Sequence, residues 1–280
     1  MVTRRTFLSG VAAAALYPPA RSRGGAVKVG VCTRDIAGAA KYGFDYIEPA
    51  AAEIAAMTED QFREYADTVL ASPLSCHAFN SFIRRPDLRV VGHEVSISAL
   101  REYLEVCLPR CRRLRASILV WGSAGSRNVP EGFMRQRARD QIADFLHMAG
   151  EVARRLDMVV AIEPLRRQES NILNTGAEAL EMVRRVKHPN VRMIIDYFHL
   201  REEDEDPRIL EVARREIVHL HFANPHGRLW PHGLREDDHY DAFFQYLKKT
   251  RYSGGISIEG QGSFEKDGAA SLEFFRQAMG

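Results

Sequence analysis

Between Val159 and Leu200 two short apolar runs, each ending in a carboxylate, flank an amphipathic segment. The first, Val159–Ile162, stops at Glu163; the second, Met193–Ile195, stops at Asp196. Runs this short, rich in β-branched residues and joined by a helical pattern, read as consecutive parallel strands with a crossover helix. Both acids then sit at C-terminal strand ends, the side where α/β barrels place their chemistry. Strand ends are commonly polar, so one such acid says little. Two in register, with His199 three residues after the second, point to a site.

The same strand-then-helix unit recurs eight times from Val27 onward. The other predicted strands are Val27–Cys32, Tyr46–Glu48, Leu74–Phe79, Ile118–Trp121, Ile217–Phe222 and Gly255–Glu259. Helices are predicted at Ile36–Tyr42, Thr58–Leu70 with Thr58 as N-cap, Val95–Leu108, Glu131–Leu156, Ala177–Val186, after Asp206-Pro207, Tyr240–Lys249 and Ala270–Met279. Eight such units in 280 residues predict an α/β fold, a single (β/α)8 TIM barrel over residues 26–280, since such barrels need about 250 residues. Residues 1–25 read separately. Arg4-Arg5 ahead of Phe7-Leu8 and a mild apolar run to Leu16 have the form of a twin-arginine export signal with a disordered junction, which would place the mature protein in the periplasm. Without a working signal the protein stays in the cytoplasm.

Charge and cysteine content exclude several function classes. The net charge is +2 with both signs interleaved, which offers no surface for nucleic acid or a membrane. Cys32, Cys76, Cys107 and Cys111 have neither CxxC spacing nor the density of a disulfide scaffold, and read as buried thiols. An exposed apolar helix face would favour a homodimer.

The remaining strand ends supply His219 and His221 on the seventh strand and Glu259 on the eighth. The two histidines share strand parity, with His221 nearer the mouth, so His221 is the candidate ligand and His219 a packing or supporting residue. Glu163, Asp196, His221 and Glu259 together form a ligand set for one hard or borderline divalent ion. The oxygen-rich set favours Mn²⁺; Mg²⁺, Co²⁺ or Zn²⁺ would also fit.

These residues carry a resemblance. Glu163-Pro164-Leu165 with Glu169, Asn171 and Asn174-Thr175, Asp196-Tyr197-Phe198-His199, His219-Leu220-His221, Ile258-Glu259 and the Trp121–Phe133 loop with Arg127 resemble the xylose-isomerase-like barrels of sugar isomerases and epimerases. That group includes ketose 3-epimerases and inosose dehydratases. The resemblance implies that Glu163, Asp196, His221 and Glu259 bind one divalent ion, and that Glu163 and Glu259 also form the base/acid pair flanking a substrate carbon. It implies that His199 and Arg228 hold the oxygens of a sugar or keto-sugar substrate, with Glu169 supporting them. Proton abstraction next to a carbonyl would then give an enediolate. His77 is expected to line the mouth; Glu48 either lines it too or simply ends its strand.

Export suggests an alternative, a lyase or hydratase acting on 3-keto sugars or glycosides. Two rivals come from other classes. An endonuclease at abasic sites would need a three-metal cluster with an Asp-x-His pair after His221, and His77 alone of its extra histidines is present. A non-catalytic sugar-binding barrel would have no use for two opposed glutamates.

Overall fold

The structure is a computed structural model that describes residues 27–280, so the export-signal reading of residues 1–25 lies outside the described residues. In chain order the elements are β1 Lys28–Val31, α1 Ile36–Tyr42, β2 Tyr46–Ile47, α2 Ala51–Ala56, α3 Glu59–Ala71, β3 Ala78–Phe79, α4 Ile97–Arg113, β4 Ile118–Trp121, α5 Ala124–Arg127 and α6 Arg135–Arg155. They continue with β5 Val159–Ile162, α7 Gly176–Val186, β6 Val191–Asp196, α8 Tyr197–Glu202, α9 Ile209–Val212, β7 Ile217–Phe222, α10 Tyr240–Thr250, β8 Gly255–Ile258 and α11 Phe264–Met279.

The eight strands form one parallel sheet in the order β2-β1-β8-β7-β6-β5-β4-β3. Only isolated bridges, Ile47 to Cys76 and Ala50 to Asn80, span the gap between β2 and β3. The barrel is therefore nearly closed, and its weak seam has a cause in the sequence. Pro49 lacks an N–H and cuts β2 short, so the expected strand Leu74–Phe79 shrinks to a two-residue ladder against β4.

Local chemistry explains most of the other boundaries. Thr58 does cap α3, and Gln61 returns the bond to the Thr58 N–H, forming a capping box. The helix expected from Glu131 starts at Arg135, after a turn in which Gly132 adopts φ +72°. The helix expected after Asp206-Pro207 is a single turn, α9. By contrast α11 begins six residues before the expected Ala270, because Ser263 caps it and Gly268 is tolerated inside it. The short helix α8 was not anticipated. It starts directly at the end of β6, with Asp196 Oδ1 accepting from the Phe198 N–H at 2.8 Å.

Apolar residues fill two zones. The larger lies between the sheet and the surrounding helices, and a smaller one of Ala78, Ile118, Val120, Ala161 and Ile194 fills part of the barrel interior. Beside it the interior turns polar: Tyr46, His77, His219 and Ser257 stack there, with ring centroids of Tyr46 and His77 5.0 Å apart and His77 and His219 5.8 Å apart. Gly30 and Gly255 make this layer possible, since a Cβ on either would run into the Tyr46 ring or hydroxyl. The large exposed apolar residues Ile97, Val106, Met134, Val212 and Leu229 are scattered rather than gathered on one helix face. Among the described residues no helix is long and apolar enough to cross a membrane.

The close approach at Gly30 predicts that Gly30→Ala destabilises the protein by about 1–3 kcal/mol, the usual cost of overpacking a filled core. Urea unfolding midpoints for wild type and variant would measure it, and equal midpoints would show that the Tyr46 ring gives way freely.

Candidate active site at the barrel mouth

Four strand ends deliver the ligand set. Glu163 follows β5, Asp196 is the last residue of β6, His221 is the penultimate residue of β7, and Glu259 follows β8. Each offers a ligand atom, and these atoms lie within 4.8 Å of one another. His221 Nδ1 is the centre of the group, 2.9 Å from Glu163 Oε1 and 3.4 Å from Glu259 Oε2. Asp196 Oδ1 is committed to the α8 cap, while its Oδ2 is buried without a hydrogen-bond partner. Buried acceptors are seldom left unpaired, so a hard-donor set of three carboxylates and one imidazole with an orphaned oxygen fits a divalent cation.

The residues expected to hold a substrate converge on the same point. Arg228 Nη2 donates to Glu259 Oε2 at 2.6 Å, lies 3.6 Å from Asp196 Oδ2, and its Nη1 is 3.5 Å from Glu169 Oε1. The guanidinium also stacks on Phe198, 4.8 Å from the ring centroid. Glu169 is held by Arg166 at 2.8 Å. His199 Nδ1 accepts from the Arg166 backbone N–H at 3.3 Å, which puts its proton on Nε2. That Nε2–H is buried, has no hydrogen-bond partner, and lies 3.6 Å from Asp196 Oδ2. Burial, reinforced by the Arg228 charge, lowers His199 to about 3, so the ring is a neutral donor at ordinary pH.

The carboxylates are not equivalent. Burial and the neighbouring Glu259 charge raise Glu163 from its ordinary value. Burial likewise lifts Asp196 to about 7, although Arg228 pulls the other way. Glu259 is also subject to burial, but His221 and Arg228 outweigh it and hold it near 2. Asn80, at the end of β3, adds a bond to Glu259 Oε1 at 3.0 Å.

His77 is not part of this cluster. It lies deeper in the barrel, against Tyr46, His219 and the start of β8 at Gly255, so the expectation that it lines the mouth is corrected. Its position before β3, rather than after it, accounts for the difference. Glu48, left open by the sequence, is fully buried against His219 and His221. Asn80 is absent from the sequence reading, and Arg127 enters there only as part of a family-like loop with no role of its own. Arg127 is completely buried and donates to Trp121 O at 3.0 Å and Glu163 O at 2.7 Å, clasping the ends of β4 and β5. Asn80 stands at a strand end like the four candidate ligands, a signal that was available; the loop resemblance marks Arg127 but not its reach to β5. Gly122 leaves the space that the Glu163 carboxylate occupies. Asp237-Asp238-His239 also groups three possible ligands after β7, but Asp237 is engaged by Tyr197 at 2.7 Å and Arg201 at 3.2 Å.

Residues 36–278 match the family described as "Xylose isomerase-like TIM barrel". A 3-dehydro-D-guloside 4-epimerase of Escherichia coli is 32% identical over 124 residues, 44% of this chain and 46% of that enzyme, so this match spans less than half the length of either. An L-ribulose 3-epimerase of Methylomonas is 28% identical over 230 residues, 80% of this chain and 76% of the enzyme. Among solved structures, the apo 3-keto-D-glucoside 4-epimerase of E. coli superposes with a TM-score of 0.75 at 20% identity, covering 90% of this chain and 99% of that one.

The polar interior gives a pH dependence. Burial, aided by the nearby His219, lowers His77 to about 4 from 6.5. The unfolded chain therefore binds this proton first, and the His77 contribution to stability is present above 6.5 and lost as pH falls toward 4. Relative to wild type, His77→Gln should lose acid sensitivity in that window, at most about 1.4 kcal/mol per pH unit for one proton. Urea unfolding at several pH values would read the difference between the two proteins, and parallel curves would refute the assignment.

Proposed function

The chain belongs to the xylose isomerase-like TIM-barrel family, and from that premise and the geometry of its site we propose a divalent-metal-dependent epimerase acting on a keto sugar. The observation that carries the reading is the set Glu163, Asp196, His221 and Glu259, with Asp196 Oδ2 and His199 Nε2 buried 3.6 Å apart and neither of them hydrogen-bonded. The names of the two enzyme relatives support it from another side. In a 3-dehydro sugar epimerised at carbon 4, as in a ketose epimerised at carbon 3, the inverted carbon lies beside a carbonyl. The C–H at such a carbon is the acidic one.

A bound divalent cation supplies charge stabilisation to the oxygen that becomes anionic when that proton leaves. The chain supplies the rest. Glu259, held as a carboxylate by Arg228, Asn80 and His221, serves as base; Glu163, which burial and the Glu259 charge raise from its ordinary value, serves as acid. They rise from strands separated by β6 and β7, which lets them reach one carbon from different sides. The neutral His199 Nε2–H and the Arg228 guanidinium donate to sugar oxygens and fix which carbon lies between the glutamates. Arg127 holds the backbone from which Glu163 projects. Manganese is the first choice of metal. The match to an epimerase named for a 3-dehydro sugar favours, as a second reading, a 3-keto glycoside as substrate in place of a free ketose.

Two outcomes test this. Asp196→Ala should abolish stoichiometric Mn²⁺ binding, because it removes a charged ligand that no neighbour can replace. A variant with unchanged metal content by elemental analysis would sink the assignment. Glu259→Gln, fully loaded with metal, should turn over keto sugars about 10² to 10⁴ times more slowly, the span a positioned acid or base contributes. Solvent deuterium exchange next to the carbonyl measures it directly. Exchange at the wild-type rate would leave Glu259 a ligand without a proton-transfer role.

A further inference from the structure

Glu48 has no task in the reaction outlined above, yet no group at the mouth is more enclosed. It follows β2, is fully buried, and gives each carboxylate oxygen to a different histidine. Oε1 lies 2.9 Å from His221 Nε2, and Oε2 lies 2.8 Å from His219 Nε2. His219 Nε2 is also 3.1 Å from Ser257 Oγ, whose hydroxyl donates to Tyr46 OH at 3.1 Å. The opposite ring nitrogen of His221 faces Glu163 and Glu259. The imidazole is thus strung between Glu48 on one side and the ligand set on the other.

A carboxylate can only accept, so each Nε2 that meets Glu48 must carry the proton. His221 Nδ1 also meets a carboxylate, Glu163 Oε1 at 2.9 Å, and can carry a second proton there until a cation displaces it; with an ion held by the set, Nε2–H stays on Glu48 and the Nδ1 lone pair is left for the ion. For His219 the proton on Nε2 leaves Nδ1 as an acceptor, buried without a hydrogen-bond partner. We propose that Glu48 is the positioning residue of the divalent-ion centre, holding His221 in the tautomer and ring orientation that binds the ion, with His219, Ser257 and Tyr46 fixing Glu48 in turn. The inference rests on the reading of the site as a divalent-ion centre. A carboxylate that takes the second N–H of a ligating histidine is typically worth 10- to 100-fold in metal affinity.

Glu48→Gln keeps the shape but has one acceptor where two are needed. Its amide N–H₂ must face one of the two Nε2–H groups, so an imidazole has to turn or change tautomer. Titration calorimetry of the metal-free protein with Mn²⁺ should give a Kd raised about 10- to 100-fold in the folded variant. A folded variant that binds Mn²⁺ as tightly as wild type overturns the proposal, even if it melts at lower temperature, because that result describes a residue serving packing alone. A second measurement needs no variant. Side-chain nitrogen NMR of isotope-labelled wild type loaded with diamagnetic Zn²⁺ should find the His221 proton on Nε2; a proton on Nδ1 overturns the proposal whether or not Glu48→Gln folds. Wild-type protein that takes up neither Mn²⁺ nor Zn²⁺ would defeat the metal-centre reading itself, an outcome separable from equal affinities in wild type and Glu48→Gln.

Discussion

The whole arrangement depends on the cost of holding like charges together out of water. Closing the barrel brings Glu48, Glu163, Asp196 and Glu259 to the same end of one parallel sheet, three of them almost wholly buried. Carboxylates gathered in this way repel one another and lose hydration, which is why burial raises Glu163 and Asp196. The protein offsets part of that cost with His221, His219 and Arg228, and leaves part of it standing at Asp196 Oδ2. The remaining deficit is what a divalent cation would cancel. Stability is given up at this end of the barrel, and the helix-facing core of Trp121, Phe145, Phe222, Phe243 and Phe274 supplies it elsewhere.

The polar interior extends this logic below the mouth. A barrel filled entirely with branched aliphatic side chains could not fix the His221 imidazole from beneath. Tyr46, His77, His219 and Ser257 occupy that layer instead, and glycines at 30 and 255 make room for the rings. Such a network has to be satisfied throughout, since in a low dielectric each unpaired member costs more than in water. The chain Tyr46–Ser257–His219–Glu48–His221 meets most of this demand: His219 and His221 both donate to Glu48 and Ser257 donates to Tyr46, while His219 Nδ1 stays buried without a partner.

The parts of this structure legible in the sequence were those with a repeating pattern. Apolar runs ending in acids located β5, β6 and β8, and the shared parity of His219 and His221 gave their depth. Interactions that cross the barrel left no local trace. Glu48 is far from His219 and His221 in sequence and meets them across the barrel, where only β1 and β8 stand between β2 and β7. His77 failed for the opposite reason: its neighbourhood in the sequence is right, but β3 is too short, and a residue before it lies a layer below the ligands. Arg127 stands in the sequence as part of a family-like loop with no role attached, and its hold on the ends of β4 and β5 appears only in the fold.

Arg228 shows how far backbone geometry, rather than residue type, decides the site. Gly227 and Arg228 both take left-handed conformations, φ +88° and +53°, and for arginine that is an unfavourable region. The pair of turns lets Leu229 bridge Asn224 on one side and Gln261 on the other, which ties the loop after β7 to the loop after β8. Trp230 then closes over Phe44 and Phe264, and its indole N–H donates to Gly260 O at 3.1 Å. With the loop pinned at both ends, the guanidinium has one place to go, across Phe198 and onto Glu259. The strain at Arg228 is thus held by the packing of residues that touch no ligand. Loop residues between Pro225 and Asp238 accordingly shape the site through where they place Arg228, and a change of length there would move a guanidinium that spans Glu169, Asp196 and Glu259 at once.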